Sequence, residues 1–445
     1  MTMGMMQLLA AETAQFAGRT FTVDEVLQRY VWVFYAAYAV SFALTPMMRA
    51  VAQQYGIIDQ PDGVRKLHTV PVAYLGGVAV LMGWLAGLAV SQWCSAHHDE
   101  PELPQQVVVN FGIVLGASVI AVLGLWDDVL GVRPSVKIMG QVLAAAGLLT
   151  TGIGTRSSWI LIQPVAIRLS TYWGWPMPDP NHWMVLASSA VMVVGIVVAC
   201  CNATNLLDGL DGLCGGVTAI IAAGFLFLAV NLATVTGALN VNEDGLRVIL
   251  ALALLGAVLA FIPYNFNPAS IFMGDTGSMF LGFVCAVMII LFAAHGHFKW
   301  FLASMVVFAL PVLDTMLAFA RRWVARRPVF SADRHHFHHQ LLARGLTVKQ
   351  TVLVSYLLAV LFALLGAAIV YVRTRYALAI YLVVFGSIIV AAYKMGMVHE
   401  RLAVTSRKTL GSEDPLVPAA VDPGGAVEIR DRHEPPGSAA PTAVR

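Results

Sequence analysis

The sequence predicts an all-α integral membrane protein, on three observations. Of its 445 residues 58% are hydrophobic and only 12% charged, against about 25% charged in soluble domains. The apolar residues fall in runs long enough to cross a bilayer. The polar residues between those runs gather on one side. A formal net charge of +2 without a basic stripe argues against a nucleic-acid partner. Five cysteines without ligand spacing argue against a disulfide framework or a zinc site.

A spanning helix needs about 20 mostly apolar residues to cover a hydrocarbon core of roughly 30 Å. About eleven runs meet that length, near residues 30–48, 71–93, 106–126, 135–153, 183–202, 214–237, 247–264, 278–295, 299–320, 352–372 and 376–395. Residues 1–29 lack the basic start and short apolar core of a cleavable signal and read as an N-terminal extracytoplasmic segment. Residues 30–395 form the polytopic membrane domain. Residues 396–445 are rich in Pro, Gly and Ala and too poor in large apolar side chains to build a core, so a disordered tail is expected. Lys and Arg mark cytoplasmic loops, and the loops after odd-numbered runs, with the tail, carry about twice as many as the other side. The N-terminus is therefore placed outside and the C-terminus in the cytoplasm. Asp99, Glu100, Glu102, Glu243 and Asp244 fall in loops on the outer side.

Ionisable groups at membrane depth cost roughly 2.5–3.5 kcal/mol each, so a cluster of them suggests function. Of 15 acidic residues between positions 30 and 395, eight lie in five loops assigned to one face. These loops contain Asp59 to His68, with Arg65 and Lys66; Asp127-Asp128, followed by Arg133 and Lys137; Asn202, Asn205, Asp208, Gly209 and Asp211; Asn265 and Asn267, then Met273-Gly274-Asp275-Thr276-Gly277-Ser278; and Asp333-Arg334-His335-His336-Phe337-His338-His339.

Carboxylate and amide oxygens are the hard ligands Mg²⁺ prefers, usually one or two carboxylates plus substrate phosphates. Lys and Arg bind phosphate as point charge and fork. Together they describe metal-assisted phosphoryl transfer. Asn205, Asp208 and Asp211 recur every three residues and would share a face in a helical turn. Each stretch also has a plainer reading. Asp127-Asp128 could be a helix cap, and the 202–212 run a buried polar turn satisfying its own backbone. The segment around Asp275 could be a glycine-rich turn. The histidines could bind zinc, but seven basic residues from Arg321 to Lys349 favour an anion there. The gathering on one face is what the plain readings leave unexplained. A secondary transporter would instead place acids near mid-membrane and show internal repeats.

On these motifs, in order from about Asp59 to Gly345, the chain resembles the polyprenyl-phosphate N-acetylhexosamine-1-phosphate transferases, in the WecA/TagO-like branch. The resemblance implies transfer of a sugar 1-phosphate, by default GlcNAc 1-phosphate, from a UDP-sugar to undecaprenyl phosphate. It implies release of UMP, a need for Mg²⁺ or Mn²⁺, and an active site on the cytoplasmic face of the bacterial plasma membrane. A homodimer is compatible with it. By similarity, Asp127, Asp128 and Asp208 would be catalytic, and Asp275 and Asn205 would hold the metal. Lys137 would contact phosphate, Asn202 would bind substrate, Gly209 and Asp211 would serve the nucleotide end, and Arg334, His336, His338 and His339 would cover the sugar and diphosphate. Lys66 and His68 match a first-loop basic pair. The spacing of the histidines is unlike the consecutive triplet of the phospho-MurNAc-pentapeptide transferases, the competing member of the superfamily. Asp314, three residues after Pro311, is expected to face the bundle and pair with an amide or basic group. The alternative is a wall of the sugar loop, since relatives carry a similar Pro-x-x-Asp.

Overall fold

A computed structural model describes residues 22–61, 71–96, 107–236, 241–294, 298–324 and 336–394. The expected tail and most of residues 1–29 lie outside these. The described helices are α1 (Val23–Tyr55), α2 (Gly76–Ala96), α3 (Phe111–Leu130), α4 (Pro134–Thr150), α5 (Trp159–Trp173), α6 (Trp183–Leu207), α7 (Leu213–Thr236), α8 (Val241–Asn265), α9 (Gly274–Ala294), α10 (Phe298–Val307), α11 (Ala309–Val324), α12 (Phe337–Ala343), α13 (Val348–Ile369) and α14 (Thr374–Lys394). Two short strands, β1 (Ile58–Asp59) and β2 (Val72–Ala73), pair antiparallel.

Every apolar run coincides with a helix or, for 299–320, with the α10–α11 pair. Among the described residues eight helices are long and apolar enough to cross a membrane, and nine if that bent pair counts as one span. The chain is a multi-pass membrane protein. α4, with 17 residues, and the apolar stretch Thr374–Ser387 of α14 are shorter. α5 was not anticipated, because Pro164 and Arg168 interrupt its apolar pattern. α1 starts earlier than its apolar run because Thr22 and Glu25 form a reciprocal capping box, which satisfies two of the orphan N–H groups at the helix start.

The prolines leave traces. Pro46 inside α1 removes the hydrogen bond to the carbonyl of Phe42, and that oxygen accepts from the Tyr264 hydroxyl at 3.4 Å. Pro311 likewise cannot donate to Val307, the last residue of α10. There the chain bends by 72°, and this bend aims α11 and Asp314 back toward the loops.

α9 is the hub. Nearly all its residues are buried, and it packs chiefly on α3 and α6 and also on α2, α8 and α10. Buried all round by protein, it can be apolar on every face. At its far end Arg247 of α8, fully buried, pairs with Asp244 at 2.6 Å. Its guanidinium also donates to the Leu291 carbonyl at 2.7 and 3.2 Å, satisfying an orphan acceptor of the last turn of α9. Asp244 thus lies in a helix and not in the loop expected. Arg247→Ala removes the buried cation beside Asp244, and a loss of about 3 kcal/mol is expected. It would appear as a lower melting temperature in detergent, and Asp244→Ala combined with it should restore part of the loss.

Candidate active site

Alternating helix direction brings one end of the bundle together. α3, α6 and α8 run toward it, α4, α7 and α9 away from it, and the motif residues sit at those ends. The hairpin β1–β2 adds the first loop: Ala73 bridges Ile271 in parallel, and Gly76 and Gly77 donate to the carbonyls of Phe272 and Met273 at 3.0 and 2.9 Å.

At the centre Lys137, on the first turns of α4, places its Nζ 2.5 Å from Asp127 Oδ2 and 2.5 Å from Asp275 Oδ2. Asn205, on the last turn of α6, donates its amide to Asp275 Oδ1 at 2.8 Å and to Ser278 Oγ at 3.1 Å. Its carbonyl oxygen therefore stays available. Asp127 Oδ1 accepts from the Val132 N–H at 2.7 Å, which fixes its carboxylate beside the turn into α4. Four residues separated by up to 148 positions in the chain thus meet through charge-assisted contacts.

The expected pair Asp127-Asp128 divides its work. Asp128 turns away from Lys137 and accepts from the backbone N–H groups of Asp275 and Thr276 at 2.8 and 3.0 Å, and from the Thr276 hydroxyl at 2.6 Å. It is the N-terminal cap of α9, supplied by another helix. Gly274 makes room for it: φ is +71°, and a Cβ there would lie 2.5 Å from Asp128 Oδ2, so both backbone and space call for glycine.

Asp208 ends α6 as its C-terminal cap and is half-buried. Its carboxyl is pushed up to about 8, first by burial and then by Asp275, Asp128 and Asp211. Asp211, expected at the nucleotide, is tied into the turn after α8: its Oδ2 accepts from Asn267 Nδ2 at 2.9 Å and from the Ala269 N–H at 3.0 Å. Asn265 accepts from the Gly212 N–H at 3.1 Å. The Tyr356 hydroxyl of α13 donates to the Gly212 carbonyl at 2.6 Å. Asn202 spends its amide on Gln141 and on the Val198 carbonyl, both at 2.8 Å. Loop 208–212 is therefore braced from several sides.

His336, His338 and His339 stand together, with ring centroids 4.4–6.4 Å apart. His338 is buried, and its imidazole is held down to about 3 by burial first and then by His339, with Asp314 opposing. His338 Nε2 faces Gly209, where an added Cβ would lie 2.5 Å away. This contact joins the histidine segment to loop 208–212. Asp314 is buried in α11 and faces the histidine segment. Lys66, His68 and Arg334 lie outside the described residues.

Two supporting residues carried no usable signal, and a third no assigned role. Tyr356 reads as one more aromatic in an apolar run. Asn267 is visible but without an assigned partner. Tyr74 follows β2, and its phenol hydrogen-bonds Asp59 and is pushed up by burial, then by Asp59, Asp128 and Asp275.

Among the described residues no three His, Cys, Asp or Glu side chains form a ready-made metal cage. The residues nonetheless fit a hard divalent cation that completes its shell with substrate oxygens. Asp208 has no cationic partner among the described residues, Asp275 stands near it, and Asn205 keeps a carbonyl oxygen.

A family model described as glycosyl transferase family 4 matches residues 110–293. The chain is 30% identical over 347 residues to a protein of Bacillus subtilis (strain 168) named probable undecaprenyl-phosphate N-acetylglucosaminyl 1-phosphate transferase, covering 77% of this chain and 85% of that one. It is 30% identical over 380 residues to the decaprenyl-phosphate N-acetylglucosaminephosphotransferase of Mycobacterium tuberculosis (strain ATCC 25618 / H37Rv), covering 82% and 88%. It is 29% identical over 349 residues to the phospho-N-acetylmuramoyl-pentapeptide-transferase of Desulforudis audaxviator (strain MP104C), covering 75% and 95%.

Proposed function

Because the chain belongs to the family of polyprenyl-phosphate sugar-1-phosphate transferases, glycosyl transferase family 4, we propose that it transfers GlcNAc 1-phosphate from UDP-GlcNAc to undecaprenyl phosphate and releases UMP. The observation that carries the reading is the Asp127–Lys137–Asp275–Asn205 network at one end of the helices. Carboxylates gathered there, and not at mid-membrane, suit a membrane-surface reaction better than transport. The relatives named for GlcNAc transfer to undecaprenyl and decaprenyl phosphate support the sugar and the class of lipid. In this reading eleven spans cross the bacterial plasma membrane, the N-terminus is outside, and the site faces the cytoplasm as the first membrane step of an envelope glycan.

Asp208, Asp275 and the Asn205 carbonyl would hold Mg²⁺. Bound there, the ion supplies charge neutralisation at the diphosphate and at departing UMP. Lys137 offers its ammonium to the reacting phosphates while Asp127 and Asp275 keep it placed. Asp127 takes the remaining proton of the lipid phosphate, whose second pKa is about 6 and which is already mostly ionised. The histidine segment covers the sugar end of the donor, with the unprotonated Nε2 of neutral His338 as an acceptor for a donor hydroxyl. Holding the lipid phosphate in line with the donor's sugar-bearing phosphorus supplies most of the rate.

Purified protein with undecaprenyl phosphate, Mg²⁺ and each UDP-sugar in turn tests the substrate. UMP is expected with UDP-GlcNAc; UMP from none contradicts transfer, and UMP only with UDP-MurNAc-pentapeptide moves the assignment to that branch. The cation assignment has its own check. With its folded-state value near 8, Asp208 is mostly protonated at pH 7, and a cation binds only the ionised form. Mg²⁺ binding should therefore release a proton and tighten as pH rises through 7 to 8. Calorimetry in buffers of different ionisation enthalpy reads this, and Asp208→Asn should abolish the release.

A further inference from the structure

The carboxylate of Asp314 touches three consecutive residues of the histidine segment. Its Oδ1 accepts from the backbone N–H of Phe337 at 2.7 Å, one of the orphan donors at the start of α12. Its Oδ2 lies 3.3 Å from His336 Nδ1 and 4.0 Å from His338 Nδ1. The two rings are nearly parallel, 9° apart, and His338 leans on Gly209 of the opposite loop.

A carboxylate needed only to cap α12 would use one oxygen. Here Asp314 Oδ2, His336 Nδ1 and both ring nitrogens of His338 are buried without a formed hydrogen bond. Buried polar atoms in a finished structural pair are normally satisfied. Contacts in a ligand-free catalytic centre are often long or poorly aligned and tighten when substrate binds. A carboxylate facing Nδ1 also selects the tautomer that carries its proton there, which leaves Nε2 for the ligand side.

We propose that Asp314 is a positioning residue for donor binding: its carboxylate orients His336 and His338 and holds the histidine segment against loop 208–212. The inference rests on the transferase reading above, with the sugar diphosphate of the donor lying between these two segments. Asp314 contacts no substrate itself. It acts through the imidazoles, and its effect should fall on the nucleotide-sugar and spare the lipid.

Kinetics of the full-length protein in detergent test this with D314N, the H336A/H338A double variant and the triple combination, following UMP with UDP-GlcNAc and undecaprenyl phosphate varied separately. D314N keeps an acceptor for Phe337 and loses the charge, and a fall of about tenfold in kcat/KM for UDP-GlcNAc is expected. KM for the lipid should stay unchanged, and D314N should add nothing in the H336A/H338A background. Losses that add in the triple variant, wild-type kinetics in D314N, or equal losses for both substrates with a lowered melting temperature would overturn it. G209A presses on His338 from the other side and serves if D314N does not accumulate: a donor-selective loss supports the inference, an unchanged donor KM overturns it. A wild type that forms no UMP removes the transferase reading together with this inference, whereas an active wild type with additive losses removes the inference alone.

Discussion

Asp275→Asn is expected to lower UMP formation at least about a thousandfold, equivalent to about 4 kcal/mol of transition-state stabilisation, in a protein that still folds. The fold should survive because the start of α9 is held through backbone N–H groups by Asp128, and asparagine has the shape of aspartate. What disappears is charge. Lys137 keeps only Asp127, and the proposed cation site loses its central carboxylate. The check is kcat from UMP release beside a melting curve. Activity within tenfold of wild type would remove Asp275 from the centre of the site.

Lys137→Met has the second largest expected effect. Lys137 is half-buried with a carboxylate on either side, each 2.5 Å away. Without it Asp127 and Asp275 face one another uncompensated, and their repulsion adds to the loss of the proposed phosphate contact. A drop of about a hundredfold or more in kcat/KM is expected. Lys137→Arg restores charge but not the compact ammonium that fits between two carboxylates, so only partial recovery follows. Titrating UDP-sugar and lipid separately shows which phosphate Lys137 serves. Wild-type activity in Lys137→Met would mean that the ion pairs only hold α3, α4 and α9 together.

The helices were legible because lipid leaves apolar length as nearly the sole requirement for spanning. Every run from 30–48 to 376–395 found its helix, whereas α5 was missed where Pro164 and Arg168 break the pattern. The site was legible as a set of loops on one face, since scarce charge in an apolar chain has few reasons to cluster. The division of labour within it was not. Asp127 and Asp128 are neighbours in sequence but point to different partners, Lys137 in the next helix and Thr276 148 positions on, so only the packing of α3 on α9 tells the lysine partner from the cap. Asp211 likewise braces the Asn267–Ala269 turn because α8 ends beside loop 208–212. Tyr356 matters through one hydroxyl aimed at Gly212, a direction that no periodicity encodes.

The central claim is that the bond broken lies between the two phosphorus atoms of the donor, so that phosphate travels with the sugar. UDP-GlcNAc labelled with ³²P at the sugar-bearing phosphorus, incubated with the protein, Mg²⁺ and undecaprenyl phosphate, tests it directly. The account predicts label in the lipid phase and an equal amount of unlabelled UMP in the aqueous phase. Labelled UDP in the aqueous phase, with sugar alone on the lipid, would contradict it.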